Sequence, residues 1–114
     1  MDSTSSLQMD STDRLELARF LGDAAIAVPG VVGLRGGRSG EATEYGPGGR
    51  VSGVAVAAAA ERLQVTVSIA ARYSPDLDLA RLAGRVRRAV QRVADERVPD
   101  TVERVDVVVV DLVT

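Results

Sequence analysis

The cleanest alternation of apolar and polar positions lies in the middle of the chain. Leu63, Val65, Val67, Ile69 and Ala71 share one parity, and Gln64, Thr66, Ser68, Ala70 and Arg72 share the other. A period of two predicts a half-buried strand. Ser74-Pro75-Asp76 breaks it, and the period then lengthens. Leu79, Leu82, Ala83, Val86, Ala89, Val90 and Val93 fall within one apolar arc at helical spacing. This predicts a helix capped by Asp76 or Asp78, running to about Arg97 and ending before Pro99. Val102 to Leu112 reads as the last strand. Valine occupies both parities at 107–110, as in a strand covered on both sides. Such a strand sits centrally in the sheet or turns one face to another subunit.

The first half is less regular. Residues 1–12 are polar, rich in Ser and Thr and without periodicity, which predicts a disordered tail. From Asp13, with Glu16 three positions on, a helix can begin. Leu17, Leu21, Ala24 and Val28 then share a face, opposite Glu16, Arg19 and Asp23. Pro29 biases Val28 out of helical geometry, and Gly30 permits a turn with positive φ. Val28, Pro29, Gly30 and Val31 therefore form a structural pivot between the helix and a short strand, Val31 to Arg35. Residues 36–50 hold six of the eleven glycines and read as a surface loop. A phosphate cradle is the alternative there, without the GxxxxGK[ST] spacing or a lysine. Val51 to Ala60 is a second strand, with a turn near Glu61-Arg62 leading into the alternating strand.

The predicted order is helix, strand, strand, strand, helix, strand (α-β-β-β-α-β). The strand at 63–73, the second helix and the last strand make a β-α-β unit, whose two strands should be parallel with a right-handed crossover. Each helix has one apolar stripe. Both can pack on one face of a mixed sheet, giving a two-layer α+β sandwich that occupies 13–114 as a single domain.

Composition narrows the chemistry. The 114 residues include no Cys and no His, and all 14 basic residues are Arg. Thiolate nucleophiles, the commonest general base, Schiff-base lysines and cysteine or histidine metal ligands are excluded. The acidic residues do not cluster. Asp106 and Asp111, five apart on the last strand, are expected on opposite faces of it. Tyr45 and Tyr73 have no basic partner in sequence reach, and Tyr73 reads as a lid on the core. No catalytic set, cofactor site or metal site is expected. No apolar run approaches the ~20 residues of a membrane span, and no signal peptide is visible, which points to the cytoplasm.

The net charge of −2 is unevenly placed: residues 78–97 carry six Arg against three acidic residues. Arg81, Arg85, Arg88 and Arg92 project within an arc of about 60° beside the apolar stripe. This row can be a solvated face partly paired with Asp78 and Asp95, or a contact for an anionic surface or an acidic partner. A small nucleic-acid-binding module using this helix is the alternative function, the weaker one because no aromatic residues interleave with the row. Val108 and Val110 are the candidate self-association strand.

Ala24-Ala25-x-x-Val28-Pro29-Gly30-Val31, the following Leu34-x-Gly36-Gly37, the strand ending in Tyr73 and the closing Val102-x-x-Val105-x-Val107-x-Val109-x-Asp111 resemble the alkaline shock protein (Gls-type general stress) family. The resemblance covers about residues 15–113. It departs from the family pattern at Ser74-Pro75, at 97–100 and at Asp106, as a divergent member does. It implies a non-enzymatic, cytoplasmic protein of the envelope stress response. Such a protein self-associates and is held at the inner membrane face by a membrane-anchored partner or paralogue.

Overall fold

The computed structural model describes residues 11–36, 43–46, 49–59 and 61–114. The order is α1 (Ser11–Ile26), β1 (Val31–Leu34), β2 (Thr43–Gly46), β3 (Gly49–Ser52), β4 (Val54–Ala59), β5 (Arg62–Arg72), α2 (Leu79–Arg97) and β6 (Val102–Val113). The expected α+β sandwich is present, with both helices on one face of a mixed sheet. Two strands, β2 and β3, are added to the expected order. They form a separate antiparallel hairpin that takes in part of what read as a glycine-rich loop and the start of the strand expected at 51–60, which is divided at Gly53 into β3 and β4. The hairpin pairs Thr43 with Ser52 and Gly46 with Gly49. Residues 37–42 and 47–48 of that loop, and residues 1–10 of the predicted tail, lie outside the described residues. Ser11 and Thr12 belong to α1, so the helix starts two residues before the expected boundary.

β5 is the strand around which the sheet is built. Its odd-numbered residues Leu63, Val65, Val67 and Ile69 are buried against the helices, as its alternation demands. Along one edge it pairs antiparallel with β4, from Ala59↔Arg62 to Val54↔Val67. Farther along the same edge it pairs antiparallel with β1, at Leu34↔Ile69, Gly33↔Ala70 and Val31↔Ala71. The handover is made at Ser68. Its N–H donates to the Gly53 carbonyl (2.7 Å), and its own carbonyl accepts from the Arg35 N–H (2.9 Å). Gly53, at φ 94°, takes the conformation that lets β3 turn into β4. Pairing with β5 overrides the helical preference of Ala57-Ala58-Ala59.

The other edge of β5 belongs wholly to β6, which is parallel to it from Leu63↔Val102 to Arg72↔Val113. The parallel pairing expected of the β-α-β unit is therefore present. β6 is not central, however: β5 is the strand it pairs with, and among the described residues its outer side is a sheet edge. Between Ile69↔Val109 and Ala70↔Asp111 the strand holds one extra residue, Val110. A bulge of this kind inverts the alternation that follows it. Asp106 (opposite Thr66) and Asp111 (opposite Ala70) consequently lie on the same, helix-free face, not on opposite faces. Their partners agree. Arg104 Nε donates to Asp106 Oδ2 at 3.1 Å, and Arg35 Nε lies 4.0 Å from Asp111 Oδ2.

Leu17, Leu21 and Ala25 of α1 meet Leu82, Val86 and Val90 of α2 in one cluster over the sheet. The guanidinium of Arg97 stacks on the Phe20 ring, 3.4 Å from its centroid, and ties the end of α2 to α1. The pivot works as its residues require. α1 ends at Ile26, Val28 is buried, Gly30 has φ 100°, and the Gly30 carbonyl accepts from the Arg72 N–H (2.9 Å) to start the β1–β5 pairing. Tyr73 is not a lid on the core; its side chain is 51% exposed.

Candidate interaction surface

α2 positions the arginine row. Asp78, in extended conformation, accepts from the Arg81 N–H at 3.0 Å and so caps the first turn. Leu82, Val86, Val90 and Ala94 then face the core. With those positions fixed, helical spacing leaves Arg81, Arg85, Arg88 and Arg92 exposed on the side of α2 turned away from the sheet. The carboxylates expected to neutralise them are engaged elsewhere: Asp78 in the cap, and Asp95 as acceptor from Gln91 Nε2 at 3.1 Å. Among the described residues none of the four guanidinium groups has an ion-pair partner.

The row divides into two halves. Arg88 and Arg92 border a shallow groove together with Gln91, Asp95 and Glu96, so positive and negative groups are matched there. Arg88 also lies over Gly84, its Nη1 3.5 Å from where a Cβ would stand. Arg81 and Arg85 instead open onto a cavity of about 520 Å³ at the start of α2. Its walls include Pro29 and Gly30 of the pivot, Arg72 from the end of β5, Ser74, Asp76 and Leu82. Three arginines and two aspartates, Asp76 and the capping Asp78, thus border this cavity. The structure brings the pivot and the first half of the row together, which no sequence spacing indicated. It also adds Arg72, whose only signal was its place at the end of the alternating strand.

Val108 and Val110, the candidate self-association residues, are 43% and 45% exposed, and Leu112 beside them is 46% exposed. All three are on β6, whose outer edge has no strand partner among the described residues. Val105 is buried, and Val107 and Val109 pack against the helix-side cluster. Among the described residues no group of three or more acidic, His or Cys side chains is placed to hold a metal ion. No helix among them is long and apolar enough to cross a membrane.

The likeness to solved structures is one of fold only. No family model matches the chain, and no curated protein does. Among solved structures, MamM CTD 215–293 aligns at 16% identity over 84% of this chain and 95% of its own, with a TM-score of 0.49. A zinc form of the MamM CTD aligns at 16% identity over 84% of this chain and 82% of its own, with a TM-score of 0.48. At that level the likeness carries no argument about what this chain binds or does. The functional reading rests on the chain's own surfaces.

Proposed function

We propose that this chain is a non-enzymatic, self-associating interaction module of the envelope stress type. In this reading it is cytoplasmic and docks to an acidic segment of a membrane-anchored protein at the inner membrane face. The observation that carries the reading is the cavity at the start of α2, lined by Arg72, Arg81 and Arg85, none of which has an ion-pair partner among the described residues. Guanidinium groups bind carboxylates through paired hydrogen bonds, so the cavity suits an acidic side chain or a chain terminus. The alkaline-shock resemblance of the pivot and the closing valine ladder supports the same reading. The nucleic-acid alternative is weakened by the second half of the row. Arg88 and Arg92 share their groove with Asp95 and Glu96, which leaves no continuous cationic track for a phosphate backbone.

Fractionation of cells expressing the full chain tests this. Wild-type protein should sediment with membranes, and Arg81→Glu/Arg85→Glu should move to the soluble fraction. Protease treatment of stripped membranes should abolish rebinding. Equal binding to protein-free anionic vesicles at the same salt would refute a protein partner, and unchanged sedimentation of the double variant would refute the cavity as the docking site.

A further inference from the structure

We infer that a second copy of this chain docks along the outer edge of β6, antiparallel, with the two-fold axis passing through Val107. The inference rests on the self-association reading above and gives it a strand, a direction and a register. A free strand edge presents a row of unpaired backbone donors and acceptors, and this one has neither the proline nor the lysine that commonly blunts such edges. The opposite edge of β5 is divided between two short strands, whereas β6 is one strand from Val102 to Val113, with register shifts at Glu103 and Val110.

Charge selects the register. A two-fold that joins two β6 strands edge to edge stands perpendicular to the sheet, so residues facing each other across the axis lie on the same face. Centred on Asp106, the pairing sets that carboxylate against its own copy. Centred on Val108, and allowing for the extra residue at Val110, it sets Asp106 against the partner's Asp111. Centred on Val105, it answers Arg104 with Asp106 but overlaps only Val102–Val108 and leaves Val110 uncovered. Centred on Val107, it brings Arg104 opposite Asp111 twice, once on each side of the axis. It also pairs Val105 with Val109 on the helix side and overlaps nearly the whole strand. Opposite charges placed directly across strands stabilise a pair, and like charges oppose it. The bulge that moved Asp111 onto the face of Arg104 is what makes this register the matched one.

The test uses the full chain, which contains no cysteine. Val107→Cys should give a covalent dimer on mild oxidation, since residues facing each other across the axis bring their Cβ atoms to roughly 5 Å. Leu112→Cys should not, because the two-fold separates its copies by about 30 Å. Arg104→Asp and Asp111→Arg should each weaken the dimer about tenfold by sedimentation, and an equimolar mixture should recover it, both cross-strand pairs being matched in the heterodimer. If wild-type protein is monomeric at high concentration, self-association itself fails and this pairing with it. If it is dimeric but Val107→Cys does not cross-link, or the mixture does not recover, the β6 register alone is overturned.

Discussion

Gly53 is the residue whose replacement should cost this fold the most for its size. It stands where β3 hands over to β4, with φ 94°, and its carbonyl accepts the Ser68 N–H. A β-carbon there would lie 2.6 Å from Leu34 Cβ, 3.0 Å from the Arg35 nitrogen and 3.1 Å from the Ser68 carbonyl oxygen. These are backbone atoms or the first side-chain atom, so nothing flexible can give way. Gly53→Ala therefore pays a left-handed backbone cost of about 1–2 kcal/mol. It must also push β1 away from Ser68, losing the Arg35–Ser68 hydrogen bond and local packing, for about 2–3 kcal/mol more. A total near 4 kcal/mol is a large share of the roughly 5–15 kcal/mol that holds such a domain. Gly30→Ala is the control. Its φ is 100°, but the nearest atom is Leu82 Cδ1 at 3.3 Å, the movable end of a side chain, and about 1–2 kcal/mol should suffice. Urea unfolding followed by circular dichroism measures both, with the midpoint falling and the slope unchanged. A Gly53→Ala protein within 1 kcal/mol of wild type, or a Gly30→Ala protein hit equally hard, would refute the argument that rigid neighbours decide the cost.

Two further predictions concern the helices and the strand edge. Asp78→Ala should destabilise by about 1 kcal/mol through loss of the N-cap, and Asp78→Ser should recover most of it; equal effects of the two in thermal melts would remove the cap from the explanation. Leu21→Ala, at a side chain with 0% exposure, should cost about 2–5 kcal/mol in urea, whereas Leu112→Ala, at 46% exposure, should stay within about 0.5 kcal/mol at concentrations too low for self-association.

Which parts of the molecule could be read in the sequence follows from the range of the interactions involved. α2 was legible almost to the residue, because its apolar arc is long and both ends are marked, by Asp78 and by the approach to Pro99. β5 was legible because its larger apolar residues share one parity, although Ser68 and Ala70 on the other are buried too, and the pivot because Pro29 and Gly30 act on their own backbone. The β2–β3 hairpin was hidden by its glycines; it contacts α1, a tertiary neighbour that no local pattern announces. The valines at 107–110 suggested a strand covered on both sides, but three of the exposed large apolar side chains of the molecule are on β6. The bulge at Val110 is a property of pairing with β5, so the common face of Asp106 and Asp111 could not be counted from spacing. Of the candidate site, the four arginines were legible as a helix face. Their division into a charge-matched half and a half opening onto a cavity depends on Arg72 and on the acids of the next turn, which only the fold brings near.

The two proposed surfaces are mechanically coupled by the symmetry of the β6 pairing. A two-fold perpendicular to the sheet leaves both helical layers on the same side of the joined sheet. The two arginine rows, carried on those helices, then lie on the same side of the joined sheet. A flat array of partner segments on a membrane can engage both at once, so the second contact forms at an effective concentration set by the geometry of the pair. Retention at the membrane should then depend on β6 even though β6 touches no partner. Arg104→Asp, with Arg72, Arg81 and Arg85 intact, should release the protein from membranes while leaving its affinity for a single soluble acidic peptide unchanged. Adding Asp111→Arg protein should return both variants to the membrane fraction together. Release of Arg104→Asp that the mixture does not reverse would mean that the substitution acts on the fold, and unchanged retention would mean that each copy docks alone.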